Sequence, residues 1–353
     1  MENVCPMPQD ATTEPQRHAA VVYNPIKVDL DALRKTVDAA ARRAGWGETR
    51  WYDTSEADPG TGQAKQAVDD GAEVVLSAGG DGTIRAVADG LRGSSVPIAL
   101  LPSGTGNLLA RNMKLTLDRL EESVTTAFTG TDRRIDLGIV ELEREDGNRE
   151  TRAFLVMAGL GIDAAMIENT DPGLKKKVGW LAYVGGIARS LGGANYIRLR
   201  FKLDDQPARN LRVNTMLIGN CGLLTGNILL LPDAAMDDGV FDIVALRPEG
   251  FFGWVQIIVK VVWENGVLRR SSLGRKILSN TKEVRTLRYL RGKEIVIRPD
   301  DARPVQLDGD TFGQVVALRA RVEDPALAVR VPREESDDLP ASDKARAEES
   351  VPA

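Results

Sequence analysis

Histidine is almost missing from this chain, whose 353 residues include a single one, His18. A Ser-His-Asp triad, a His-paired cysteine nucleophile and a multi-histidine metal site are thereby excluded as the basis of any chemistry. Cysteine is nearly as scarce, with only Cys5 and Cys221. That rules out a disulfide framework and a four-cysteine zinc site, and points to a reducing, cytoplasmic setting. No apolar run reaches the ~18–20 residues needed to cross a bilayer. The leader, residues 1–17, is rich in Pro, Gln, Glu and Thr and has no apolar signal-peptide core. The P-loop pattern with its Lys and Ser/Thr is absent. There is little excess charge either. The net value is −5, and residues 333–353 carry seven acids against three bases, which leaves the body close to neutral. Nothing therefore marks the protein as a nucleic-acid binder. Catalysis must fall to carboxylates, hydroxyls, lysines and backbone dipoles.

What is present is a globular composition, 42% apolar and 27% charged, at a length that suggests two domains. From Ala19 onward apolar runs alternate with helical stripes. Strands are predicted at 19–23, 48–52, 72–76 and 96–101, with helices at 29–44, 63–70, 84–91, 108–112 and 117–128. This rhythm predicts a doubly wound parallel sheet with helices on both faces over residues 18–132. After Gly130 the pattern becomes short alternating strands, at 135–143, 149–157, 196–203, 211–219, 240–246, 294–297, 305–308 and 314–320, with turn signals such as Asp146-Gly147, interrupted by a helix near 180–191. An antiparallel β-sandwich is predicted for residues 133–332, and a disordered acidic tail for 333–353. The fold class is thus an N-terminal nucleotide-binding α/β domain followed by an all-β sandwich.

Two glycine-rich segments follow strands of the first domain, Gly79-Gly80-Asp81-Gly82-Thr83 and Pro102-Ser103-Gly104-Thr105-Gly106-Asn107. In a parallel sheet both lie at the carboxyl edge, where Asn24-Pro25 and Thr54-Ser55 also end strands. Bare N–H groups there form a phosphate cradle. A dinucleotide-like Gly159-Leu160-Gly161 lies in the β-rich half, out of place for that role.

The ordered set of motifs resembles the diacylglycerol kinase family of lipid kinases, with sphingosine kinases as close and NAD kinases as distant relatives. The resemblance runs from about Val21 to Arg330 through the two glycine segments, Gly219-Asn220, Leu231-Pro232-Asp233-Ala234 with Asp237-Asp238-Gly239 and Asp242, and Leu307-Asp308-Gly309-Asp310. It implies a site between the two domains. Asn24, Pro25, Thr54, Gly79, Gly80, Asp81, Gly82, Thr83, Gly104, Thr105, Gly106 and Asn107 would surround ATP. Asp81 would hold Mg²⁺ against the phosphates, the hydroxyls of Thr83 and Thr105 donating beside it. Phosphoryl transfer also needs a base near the attacking hydroxyl. Asp310 is the first candidate and Asp308 the second, since Asp310 stands where the family has Glu and reaches one methylene less far. A structural Mg²⁺ is implied at the Asp238 carboxylate and the carbonyls of Ala235 and Val240. A second departure is Arg85-Ala86 in place of Asn-Glu, with Arg85 expected to face phosphate.

The implied reaction is phosphorylation of a lipid hydroxyl, diacylglycerol to phosphatidic acid first. Another lipid alcohol such as a sphingoid base, NAD, or a non-catalytic nucleotide- or lipid-binding module are the alternatives. The implied partner is a lipid at a membrane surface, with a homodimer through the sandwich as a further expectation. An almost wholly apolar stretch at 251–263 precedes a segment, 267–303, with eleven bases and four acids. Together with Lys175-Lys176-Lys177 these suit either a buried helix with a solvated basic face or peripheral docking on an anionic membrane.

Overall fold

The structure, a computed structural model, describes residues 17–161, 196–224, 228–247 and 287–333. Residues 1–16 of the leader, residues 334–353 of the acidic tail, the helix near 180–191, Lys175–Lys177 and the apolar stretch at 251–263 lie outside the described residues.

The first third of the chain alternates β1 (Ala19–Tyr23), α1 (Leu30–Arg43), β2 (Arg50–Asp53), α2 (Thr61–Asp69), β3 (Val74–Gly79), α3 (Asp81–Leu91), β4 (Ile98–Pro102), α4 (Leu108–Asn112) and α5 (Leu120–Thr129). The strands pair in parallel in the order β2-β1-β3-β4. β1, β3 and β4 are almost wholly apolar because both their faces are covered, while the edge strand β2 leaves Arg50 and Asp53 exposed. Ala20 and Val22 of β1 pack with Ala64, Ile84 and Val87 of α2 and α3, while Ala19, Val21 and Tyr23 pack with Val37 of α1 and Val124 of α5. α1 starts where Asp29 accepts the Ala32 N–H at 3.1 Å and stops before Gly45, at φ +72°. In this strand order the chain leaves β1 in one direction and β3 in the other. The crevice of an open α/β sheet therefore opens at the carboxyl ends of β1 and β3.

The second part is antiparallel: β5 (Thr131–Glu143), β6 (Arg149–Phe154), β7 (Met157–Leu160), β8 (Ile197–Leu203), β9 (Arg209–Val213), β10 (Thr215–Gly219), β11 (Leu223–Leu224), β12 (Ile228–Leu229), β13 (Phe241–Leu246), β14 (Leu287–Gly292), β15 (Glu294–Pro299), β16 (Arg303–Leu307), β17 (Asp310–Val315) and β18 (Ala317–Val331). One layer is β14-β13-β10-β7-β16-β17. The other contains β18, β15, β8 and β9, with β5 paired to β18 and β6 to β5. Their facing sides enclose a core of Phe154, Ile197, Phe201, Ile218, Ile243 and Ile297, with Phe154 stacked on Phe241 at 5.4 Å.

Three differences from the predicted elements matter for the site. The helix expected to begin at Ile84 begins at Asp81, so the Gly-Asp-Gly-Thr segment is the first turn of α3 and not a loop before it. The strand expected over 149–157 breaks at Leu155-Val156, whose N–H groups turn to a buried carboxylate instead of a neighbouring strand. The strand expected at 314–320 is two, and the second, β18, pairs along β5 and then lies parallel to β4 at Val329 and Ile98. The last described strand thus joins the parallel sheet to the sandwich.

α3 is pinned to the sandwich at both ends. At its close Arg92 makes a two-pronged contact with Glu323 of β18, at 2.6 Å on each arm. Near its start Arg85 reaches Asp310 of β17.

Candidate active site

The carboxyl ends of β1, β3 and β4 are laced together by backbone. Asn24 N–H donates to the Ala78 carbonyl at 2.9 Å, and Ser103 N–H to the Gly79 carbonyl at 3.0 Å. Gly80 caps α3 with no side-chain partner, so the first-turn N–H groups point out of the helix toward the crevice. Opposite stands the second glycine segment. A Cβ on Gly104 would lie 2.8 Å from the Gly80 Cα, so only glycine lets the two segments meet.

Asp81 ties them. Its Oδ2 accepts the Asn107 N–H at 2.9 Å and its Oδ1 the Leu108 N–H at 2.6 Å. Asn107, at φ +49°, closes its own turn by accepting the Gly104 N–H at 3.1 Å and donating to the Gly104 carbonyl at 3.0 Å. Burial pushes the Asp81 carboxyl above its ordinary value; the Leu108 and Asn107 N–H groups oppose that shift and the nearby Asp310 carboxylate adds to it. Each Asp81 oxygen keeps a second lone pair, so the residue fits a divalent cation held against phosphate.

The remaining predicted nucleotide residues divide. Thr105, Pro25 and the half-buried Asn24, Gly82 and Gly106 line the open edge. Thr54 is buried at the end of β2, its N–H on the Tyr23 carbonyl at 2.9 Å. Thr83, expected to offer its hydroxyl, is also buried, and a Cβ on Gly79 would lie 2.6 Å from its Oγ1. Thr83 therefore packs beneath the turn, and the backbone N–H groups and the exposed Thr105 are the more open donors.

The two candidate bases have opposite surroundings. Asp308 is enclosed, at φ +50°, with its Oδ2 accepting the Leu155 N–H at 2.8 Å and its Oδ1 the N–H groups of Val156 and Met157 at 2.8 and 2.9 Å. Burial pushes its carboxyl up against the pull of those three donors. A group so committed reaches no substrate, which corrects the expectation that Asp308 is an alternative base: it holds the Leu155-Val156 break in place. Asp310, two residues on, has a half-exposed side chain and overhangs the first turn of α3, where a Cβ on Gly82 would lie 2.6 Å from its Oδ2. Arg85 donates to that Oδ2 at 2.9 Å and stacks over Phe312 at 4.6 Å. The expectation that Arg85 faces phosphate is corrected accordingly, because its guanidinium turns toward the sandwich.

The implied cation site at Ala235, Asp238 and Val240 is occupied by protein charge. Arg291 approaches Asp238 Oδ2 at 2.5 Å and Asp242 Oδ1 at 3.3 Å, and Asp238 Oδ1 accepts the Val240 N–H at 3.3 Å. The turn is arranged around a guanidinium, which does not fit a cation on Asp238 in this arrangement. Among the described residues no group of three or more His, Cys, Asp or Glu is placed to hold a metal. Behind this turn Asp136, fully buried on β5, accepts the Gly239 N–H at 2.8 Å. Burial, with the Asp324 carboxylate beside it, pushes its carboxyl up to about 6.

Lys27 was missed in the sequence. It extends from the turn after Asn24-Pro25, and its Nζ would stand 3.0 Å from a Cβ on Gly80. Its only signal was a lysine three residues past a strand-ending Asn. Asn112 was missed as well; it donates to the Leu223 carbonyl at 2.8 Å and accepts the Leu223 N–H at 3.0 Å, fastening α4 to β11.

Gly104→Ala is expected to force the two glycine segments apart by a few tenths of an ångström, because the added atom meets backbone and not a flexible side chain. Isothermal titration should show nucleotide affinity falling at least about tenfold, the cost of a ~1.4 kcal/mol misfit, with little change in the unfolding midpoint.

Residues 18–140 match the model of the diacylglycerol kinase catalytic domain, and residues 156–331 that of the YegS C-terminal NAD kinase β-sandwich-like domain. A diacylglycerol kinase of Staphylococcus carnosus (strain TM300) is 25% identical over 306 residues, covering 86% of this chain and 91% of that protein. A "Probable lipid kinase YegS-like" of Stenotrophomonas maltophilia (strain K279a) is 35% identical over 188 residues, 51% of this chain and 58% of that protein. In fold, a diacylglycerol kinase crystal structure from Bacillus anthracis str. Sterne superposes with a TM-score of 0.62 at 16% identity, covering 90% of this chain and 98% of that one. Yeast NADH kinase complexed with NADH gives 0.50 at 10% identity, covering 97% and 90%.

Proposed function

The chain belongs to the diacylglycerol kinase family of lipid kinases, with that family's catalytic domain followed by a YegS-type C-terminal domain, and from this we propose that it moves the γ-phosphate of ATP to a lipid hydroxyl, that of diacylglycerol first, to give phosphatidic acid. One observation carries the reading: a half-exposed carboxylate from the sandwich, Asp310, overhangs the phosphate-facing turn of the α/β domain.

The first-turn N–H groups of α3, Thr105 and the Lys27 ammonium supply positive potential for the phosphates. The lipid hydroxyl lies between them and Asp310. Its oxygen bonds to the γ-phosphorus, the bond from that phosphorus to the bridging oxygen breaks, and the hydroxyl proton passes to the Asp310 carboxylate. The tie from Asp81 to Asn107 and Leu108 keeps both phosphate-facing segments fixed meanwhile. Bound at Asp81, Mg²⁺ would neutralise phosphate charge.

The acceptor is taken from a membrane surface. No helix among the described residues is long and apolar enough to cross a membrane, so the reading is of peripheral docking on the inner face. Support comes from the exposed face of β8, β9 and β15. There Arg198 lies opposite Arg212 and Arg200 opposite Arg298, alongside Lys202. Glu143 offsets Arg298 in part, at 3.6 Å, and Arg212 stacks on Tyr196 at 4.2 Å; an anionic bilayer would relieve the like-charge repulsion that remains.

The test is phosphate transfer from labelled ATP to diacylglycerol, a sphingoid base and NAD, the lipids presented in vesicles with and without phosphatidylglycerol. Diacylglycerol in anionic vesicles should be the best acceptor, with transfer falling as salt rises. Preferential labelling of NAD, the reading that the NADH-kinase-like fold favours, would replace the proposal. ATP binding without transfer to any acceptor would mean a non-catalytic module.

A further inference from the structure

We propose that Arg85 is a positioning residue for the Asp310 carboxylate, so that the base is aimed from the nucleotide side of the crevice. The inference rests on the reading of Asp310 as the base. Arg85 stands one helical turn beyond Asp81 on α3, so the two project from the same face. Asp81 fixes the second glycine segment and Arg85 fixes Asp310; one rigid helix thereby sets donor and base relative to each other.

The contact has the marks of orientation more than of stability. The Arg85 side chain is 8% exposed and its partner's is 50% exposed. Its Nε is buried with no hydrogen-bond partner. Burying a guanidinium with an unmet donor is costly, and a half-solvated ion pair returns little. What the arrangement does secure is a fixed plane, with Phe312 beneath the guanidinium at 4.6 Å and Oδ2 of Asp310 at its edge at 2.9 Å. That leaves Oδ1 to receive the proton. Asp310 follows the turn at Asp308 and Gly309, with φ of +50° and +94°. Its short side chain needs such a fixed partner to be held over the crevice.

The experiment is a double-mutant cycle read as steady-state lipid phosphorylation, on protein whose folded fraction is measured by circular dichroism. Arg85→Met keeps bulk over Phe312 and is expected to lower kcat about 10- to 100-fold, the usual cost of a misplaced group, with the KM for ATP within about twofold. Arg85→Lys should not restore kcat, because an ammonium has no planar edge to align. In the Asp310→Asn background Arg85→Met should cost nothing further. Should Arg85→Met fold poorly, Phe312→Leu removes the platform alone and should show the same non-additivity with a loss of several-fold. Equal losses with and without Asp310 would leave the base in place and overturn the positioning role. Full activity in Asp310→Asn would instead remove the base, and this role for Arg85 with it.

Discussion

Replacing Asp310 by Asn is expected to lower kcat for lipid phosphorylation by about 10²- to 10⁴-fold, the range for loss of a general base. Affinity for ATP should stay unchanged, because Asp310 faces the helix turn from the sandwich side and contributes none of the backbone donors. The variant should fold. The side chain is half exposed, and its one contact to Arg85 is of a kind that returns little when solvated. Radiolabelled transfer to diacylglycerol in mixed micelles, beside nucleotide titration of the same sample, separates the two effects. A variant that kept the native rate would leave neither acid of the 308–310 turn as the base, since Asp308 is enclosed.

Asp308→Ala should fail in the opposite way. Three buried N–H groups, those of Leu155, Val156 and Met157, lose their acceptor together. At the usual cost of an unmet buried donor, about 3–5 kcal/mol of folding stability should go, after partial relief by water. Urea unfolding should show a much lower midpoint. Whatever stays folded should retain kcat to within a few fold, because the lost group touches no substrate. Normal stability with transfer abolished would exchange the roles of Asp308 and Asp310.

These paired acids mark where the sequence stopped being informative. The parallel half was legible because strands covered on both faces are unbroken apolar runs, and the loops after them expose their glycines as a pattern. The two acids of Leu307-Asp308-Gly309-Asp310 look alike as letters. Which acid turns inward depends on a left-handed residue at 308 and on three N–H groups some 150 residues upstream. The break at Leu155-Val156 was hidden for a related reason, since apolar residues continue through it while the chain changes sheet. The length of β18 was masked by Glu323-Asp324-Pro325, a polar interruption that the structure absorbs as a shift of register against β5. Arg85 appeared as a departure from a motif, but its partner lies 225 residues away. No local pattern names it.

The lacing of β18 into the parallel sheet also bears on how the protein comes off the ribosome. β4 is finished early, yet the strand that covers its free edge arrives only with Val329, about 230 residues later. Through that interval the half-built nucleotide domain carries an uncapped apolar strand, the kind of edge at which nascent chains join one another. Folding of the first domain is thus completed by a strand translated about 230 residues after β4. Removing residues 317–331 should leave a chain that forms its helices and aggregates, and supplying that strand as a separate peptide should rescue it.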